Sequence, residues 1–273
     1  MRNFSGKTAL ITGASSGIGA EFARALAKAG SHLVLVARRE ERLQALKNEL
    51  KGSYNIRVDV MPADLSTIKG CENLISLIDK KSLSIDILIN NAGFATIGNF
   101  AEIPIDKSMR MFQLHMSASL QLSYAALQGM LKRKRGVIIN VSSMGAFLLT
   151  PGNVLYDATK SFLVTFSENL ALEVKDKGIR IQALCPGFTR TEFHEIGDFK
   201  NFDRSAVPNS LWMMPDEVAS LSLKALEKNK KIVFVPGWKK RLLKWIVLHS
   251  STVRNTMQNK VRERNLKDAG GTL

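Results

Sequence analysis

Short runs rich in β-branched and aliphatic residues recur at 8–12, 32–37, 55–61, 85–90, 137–141, 179–184 and 231–235, each separated from the next by a longer stretch of helical periodicity. This alternation constrains the fold more than any other feature. Several of the runs are apolar on both faces, which a strand needs when helices cover both sides of its sheet. Parallel neighbours also require a crossover long enough for a helix. The pattern predicts an α/β class, a doubly wound parallel sheet. At 273 residues, with no internal repeat or low-complexity linker, the chain suits one large domain. We expect residues 1–235 to form this domain, and 236–273 to form a basic helical extension.

The first run passes directly into Thr12-Gly13-Ala14-Ser15-Ser16-Gly17-Ile18-Gly19, which opens a helix reaching to about Ala29. A glycine cluster between strand and helix permits a tight turn and close approach of a pyrophosphate to the helix N-terminus. Gly13, Ser15, Ser16, Gly17, Ile18 and Gly19 are therefore read as cofactor-binding. A carboxylate at the end of the second strand would bind the ribose 2′-hydroxyl of NAD, but here stand Ala37, Arg38 and Arg39. Guanidinium groups suit a 2′-phosphate instead, so the expected cofactor is NADP. One of the two arginines can equally be a surface residue that starts the next helix with Glu40 and Glu41.

Reduction of a carbonyl needs a proton donor beside the hydride acceptor. Tyr156 and Lys160 lie four apart and share a helix face, where an ammonium group stabilises the phenolate. Ser143, just after the fifth run, is placed to bind the substrate oxygen.

With these residues the sequence resembles the short-chain dehydrogenase/reductase family over roughly residues 5–195. The resemblance rests on four motifs in order: the turn at 12–19, Asn90-Asn91-Ala92-Gly93, Ser143, and Tyr156-Asp157-Ala158-Thr159-Lys160. It implies a Rossmann-like fold, with Asp64 and Leu65 flanking the adenine. Asn91, Ala92 and Gly93 would line the cofactor, and Lys160, beside Tyr156, would bind the nicotinamide ribose. Pro186, Gly187 and Thr191 would close over the carboxamide, with Thr189 assisting. Where the family has an asparagine in a long helix, this chain has His115. That leaves two readings, a tolerated replacement beside a relay through a backbone carbonyl, or an imidazole that carries protons itself. The resemblance further places Phe94, Phe147, Leu148, Leu149, Phe193, Trp212, Met213 and Met214 around an apolar substrate pocket, against the alternative that many are ordinary core. A mobile substrate lid is expected at 195–209, and pairing into a homodimer or homotetramer through long helices at about 105–133 and 155–177.

The net charge of +15 is uneven: eleven Lys or Arg against Glu263 and Asp268 put +9 of it in the last 45 residues. No zinc-ligand spacing or basic stripe interleaved with aromatics points to nucleic acid. Leu242, Ile246, His249, Val253, Met257 and Val261 fall at helical spacing among Lys239, Lys240, Arg241 and Lys244, with Trp238 and Trp245 nearby. Such a helix can pack on its own domain or a partner subunit, or lie in an anionic membrane surface through 238–261. Two cysteines, Cys71 and Cys185, make no disulfide framework, and the polar first residues leave no room for a signal peptide, so a cytoplasmic setting is expected, with membrane-peripheral contact the open alternative. The function so read is NADPH-dependent reduction of an apolar ketone or aldehyde to an alcohol. The alternative is an NADP(H)-binding protein that docks through its tail.

Overall fold

The computed structural model describes residues 4–148, 150–195, 204–228 and 231–250, with isolated positions at 255, 256 and 259. Seven parallel strands form one sheet in the order β3-β2-β1-β4-β5-β6-β7. They are β1 Thr8–Thr12, β2 His32–Ala37, β3 Val58–Pro62, β4 Ile87–Asn90, β5 Gly136–Val141, β6 Ile179–Leu184 and β7 Val233–Phe234. All seven expected runs form strands, while β3, β4 and β7 are shorter than their apolar runs. β3 starts late because its first paired residue, Val58, meets Leu33, near the beginning of β2.

Helices α1 Gly17–Lys28, α2 Glu40–Ser53 and α7 Pro215–Glu227 cover one face, where Phe22, Leu26, Leu43, Leu50, Val218 and Leu223 pack on Ile11, Leu35 and Ile89. Helices α3 Ile68–Lys80, α5 Ala118–Arg133 and α6 Val154–Glu173 cover the other, burying Cys71, Leu74, Leu122, Met130 and Leu170 against Leu10, Val34 and Ile138. Alternate residues of each strand thus serve opposite cores, which explains why the runs carry no polar face. The strand order reverses between β1 and β4, and the crevice beyond their carboxyl ends is where an open α/β sheet binds ligands.

The long helix expected at 105–133 is interrupted. α4 Ile105–Phe112 passes through a π-helical turn at Gln113–Ser117 into α5, and His115 sits on that turn. Wide turns of this kind insert one residue and redirect a side chain, often at functional sites. The tail begins with α8 Trp238–His249, which lies on the 3₁₀ turn Met144–Phe147. Val247 and Lys240 are buried, whereas Trp238, Leu242, Trp245 and Leu248 face outward. Val253, Met257 and Val261 lie outside the described residues, as does 196–203 of the expected lid. Among the described residues no helix is long and apolar enough to cross a membrane, and no group of three or more His, Cys, Asp or Glu is placed to hold a metal ion.

Candidate active site

At the switch point Thr12 ties the two strand ends together. Its hydroxyl donates to the Ile89 carbonyl at 3.2 Å and accepts from the Asn91 and Ala92 N–H groups at 2.9 and 3.0 Å. The Asn91 amide returns a bond to the Thr12 carbonyl at 2.9 Å. Gly13, with φ +67°, has a left-handed backbone, and a Cβ there would stand 2.7 Å from Asn91 Nδ2 and 2.9 Å from Ala92 Cα. A methyl group at Gly19 would run into the Gly13 carbonyl. Both glycines are required by close approach, and the cradle they leave at the start of α1 suits a pyrophosphate.

The end of β2 separates the two arginines. Arg39 turns back to the glycine turn and donates to Ser15 Oγ at 3.0 Å and Ser16 Oγ at 2.9 Å. Arg38 is exposed, and its charge acts on Asp64. Asp64 accepts from Ser66 N–H and Oγ at 3.0 and 2.7 Å and from Arg110 at 3.1 Å, and Leu65 is buried beside it. Partial burial works to raise the Asp64 pKa, but the Ser66 bonds and the two guanidinium charges bring it below the usual value. Serine hydroxyls, a guanidinium and the glycine cradle fit a dinucleotide carrying a 2′-phosphate.

Tyr156 and Lys160 occupy successive turns of α6, with the ammonium 5.6 Å from the ring centroid. Ser143, extended after β5, accepts from the Gly145 N–H at 3.0 Å and hydrogen-bonds the phenol. Lys160 donates to the Val141 carbonyl at 2.9 Å. Burial raises the Tyr156 pKa to about 12, against the Ser143 bond and with help from the Asp157 charge. Burial likewise lowers Lys160 to about 8. Desolvation thus opposes the lowering of the phenol pKa that the neighbouring ammonium was expected to give.

His115 stands beside this trio. Its Nε2 accepts from the Phe94 N–H at 3.2 Å, so Nδ1 carries the proton and donates to Thr159 Oγ1 at 2.9 Å. Thr159 in turn donates to the Tyr156 carbonyl at 2.8 Å. Complete burial holds the imidazole well below its normal pKa, the Lys160 charge adds to this, and the Phe94 bond only partly opposes it. The ring is neutral and both its nitrogens are engaged.

The family model for short chain dehydrogenases matches residues 7–198. The chain belongs to the short-chain dehydrogenase/reductase family. It is similar to 3-oxoacyl-[acyl-carrier-protein] reductase FabG of Rickettsia bellii, 33% identical over 222 residues, 81% of this chain and 89% of that protein. Among solved structures it resembles a short-chain dehydrogenase from Sphingobium yanoikuyae in complex with NADPH, with TM-score 0.78, 30% identity and 96% of each chain covered. It also resembles a bulky-bulky ketone specific alcohol dehydrogenase from Comamonas testosteroni, with TM-score 0.74, 30% identity and coverage of 96% and 94%. This short-chain dehydrogenase/reductase is thus an NADP-dependent oxidoreductase.

On its substrate side the structure sorts the expected residues. Phe94 and Phe193 stand 6.2 Å from the His115 and Tyr156 rings respectively. Trp212 is buried behind His194 and Phe188, at 5.2 and 5.3 Å. Phe147 is capped by Lys244 of α8, whose ammonium is 4.1 Å from its ring centroid. Leu148 is half-buried, whereas Leu149 lies outside the described residues. Met213 belongs to the main core instead, because its backbone pairs with Phe188 and Arg190 and turns the side chain inward, and Met214 is exposed at the start of α7. Pro186 accepts from the Met144 N–H at 2.9 Å, Gly187 lies under Lys240, and Thr189 Oγ1 donates to the Gly187 carbonyl at 3.0 Å. The Thr191 side chain is packed close to Gly17, which joins this segment to the glycine turn.

Three participants escaped the sequence reading: Thr159, Asp157 and Glu192. Asp157 packs beside Gly145 and accepts from the Thr150 N–H at 3.1 Å. Burial, partly offset by the Thr150 bonds, raises its pKa to about 7. Nothing in the spacing distinguishes these residues from ordinary helix and loop positions, since their contacts are tertiary.

Proposed function

We propose that this enzyme reduces an apolar ketone or aldehyde to an alcohol, with Tyr156 as the acid. The observation that carries this is the half-buried Tyr156 phenol, set beside Ser143 and walled by the Phe193 ring, with desolvation raising its pKa to about 12. NADPH supplies the hydride when bound. Gly13, Ser15, Ser16, Gly17, Ile18, Gly19 and Arg39 would hold its phosphates, with Arg38 at the mouth of that site. Asp64 and Leu65 would flank the adenine, Asn91–Gly93 would line the site, and Pro186, Gly187, Thr189 and Thr191 would close it. The hydroxyls of Ser143 and Tyr156 hold the substrate oxygen, and Tyr156 gives it a proton as negative charge develops. Lys160, anchored by Val141, would bind the cofactor ribose and favours phenolate once the proton has left. We assign His115 a positioning role, orienting Phe94 and, through Thr159, the turn of α6 that carries Tyr156. The bulky-ketone preference of the Comamonas enzyme accords with an apolar substrate. NADPH oxidation with paired apolar and polar carbonyls tests it: kcat/KM should be greater for the apolar member, and a consistent preference for the polar one would overturn the assignment.

A second part of the reading concerns the tail. Trp238, Leu242, Trp245 and Leu248 expose an apolar stripe on α8, and the sequence from Glu227 to Glu263 contains ten Lys or Arg and no Asp or Glu between those two. Two copies of such a segment repel, whereas anionic lipid attracts it and tryptophan suits the interface. We therefore place a cytoplasmic enzyme at the membrane periphery through 238–261. Co-sedimentation with anionic vesicles, lost in Trp238→Ser/Trp245→Ser, is expected; no binding by wild type contradicts it. Exposed Leu120 and Tyr124 on α5, and Val154 and Leu172 on α6, support assembly as a homodimer or homotetramer, measurable by sedimentation. The competing reading, an NADP(H)-binding protein that only docks, predicts cofactor binding without turnover of any carbonyl.

A further inference from the structure

One anion contact in the cofactor region is made by the protein itself. Glu192, on the 3₁₀ turn Glu192–His194, reaches across to the start of α1 and the end of β2. One carboxylate oxygen accepts from Ser16 Oγ at 2.6 Å and from Arg39, and the other accepts from Arg42 at 2.7 Å. We infer that Glu192 is an internal stand-in for the 2′-phosphate of NADP(H): its carboxylate fills the receptor formed by Ser16, Arg39 and Arg42, and the cofactor must expel it to bind.

Several observations support this. The receptor stands at the end of β2, where the group that distinguishes NADP from NAD is read, and its donors converge from the glycine turn and from α2. Arg39 also bonds Ser15, so the guanidinium is already aimed at the turn and needs no rearrangement to receive an anion. Partial burial favours the neutral acid, but the bonds from Arg39, Ser16 and Arg42 hold its pKa down at about 2. Protonation therefore does not relieve the conflict near neutrality, and a carboxylate and a phosphate sharing the receptor would repel at close range. The expelled residue has neighbours with other duties. Phe193, next in the chain, stands 6.2 Å from the Tyr156 ring, and His194 stands 5.2 Å from Trp212. The contact that opposes the 2′-phosphate is thus on the same turn as one wall of the substrate side, and cofactor binding releases that turn from α1.

The test is equilibrium binding by calorimetry to wild type, Glu192→Gln and Glu192→Ala, with adenosine 2′,5′-bisphosphate, NADPH and NADH as probes. Removing the carboxylate should tighten the bisphosphate and NADPH about fivefold or more, with NADH changed by less than about twofold. Unchanged or weaker binding of the bisphosphate to both variants, with thermal unfolding showing them folded, would overturn the inference. Equal tightening of all three ligands would overturn it too, because the carboxylate would then oppose the pyrophosphate rather than the 2′-phosphate.

Discussion

His115 Nδ1 stands 2.9 Å from Thr159 Oγ1, and this contact couples the π-helical turn between α4 and α5 to the helix that carries Tyr156. Because the neutral imidazole already spends Nε2 on the Phe94 N–H, it holds Phe94 and α6 in place without a site left for a travelling proton. His115→Ala should lower kcat about 10- to 100-fold through misplacement of Tyr156, with cofactor affinity nearly unchanged. His115→Asn, which retains a donor and an acceptor, should recover much of the loss. The pH–rate profile of wild type should show no limb near 6.5, since the ring stays neutral over the working range. A limb there that disappears in His115→Asn would instead identify the imidazole as a proton carrier.

The two arginines after β2 should separate in kinetics. Arg39 touches Ser15 and Ser16 and takes part in the phosphate receptor, whereas Arg38 is exposed near Asp64. Arg39→Ala should raise KM for NADPH about tenfold or more and leave KM for NADH little changed, because a charge-assisted bond is worth roughly 1.5–3 kcal/mol. Arg38→Ala should have the smaller effect. Equal losses, or a larger one for Arg38, would reverse the assignment.

Asp157 makes stability depend on pH in an unusual direction. Its folded pKa of about 7 lies above the ordinary carboxyl value of 3.8, so the folded state holds a proton that the unfolded state releases. Between those values rising pH destabilises the fold, and the full cost, on the order of 4 kcal/mol, is present above pH 7. Asp157→Asn keeps the acceptor for Thr150 and removes the charge. Its unfolding temperature should exceed that of wild type at pH 8 and converge with it near pH 4. Equal unfolding temperatures at pH 8 would remove the basis for this account.

Lys160 has the opposite sign and the same physical cause. Burial lowers its folded pKa to about 8 from 10.5, so the unfolded state binds the extra proton between those values. Stability gains as pH rises from 8 to 10.5, and at neutral pH the buried ammonium is a standing cost of roughly 3 kcal/mol. Lys160→Met should abolish turnover while raising the unfolding temperature at pH 7, a trade of stability against function seen at strained active sites. A variant both inactive and less stable would show that the Val141 bond outweighs the burial.

Much of this architecture was legible because the two cores impose it on the strands. Runs such as 33–37 are apolar throughout, and the Gly13 and Gly19 positions admit no side chain, so both signals survive in a single sequence. The nearness of Tyr156 to Lys160 was legible for a similar reason, since they owe their juxtaposition to one helix. What was hidden depends on distant segments meeting. The π-helical turn around His115 has no periodic signature, and Glu192 reaches the glycine turn from 176 residues away through the Ser16 bond. Which face of α8 packs was left open by the helical spacing, and it is Val247 and a buried Lys240, lying over Gly187, that meet the domain.

The central claim is that the Tyr156 hydroxyl delivers the proton. Tyr156→Phe removes one oxygen from a site whose cofactor contacts are made largely elsewhere. The most direct measurement is single-turnover NADPH oxidation by this variant with the best apolar carbonyl, alongside its NADPH affinity. The rate should fall by about 10²- to 10⁴-fold, with affinity within a few-fold of wild type. A variant that binds NADPH normally and oxidises it at the wild-type rate would contradict the account.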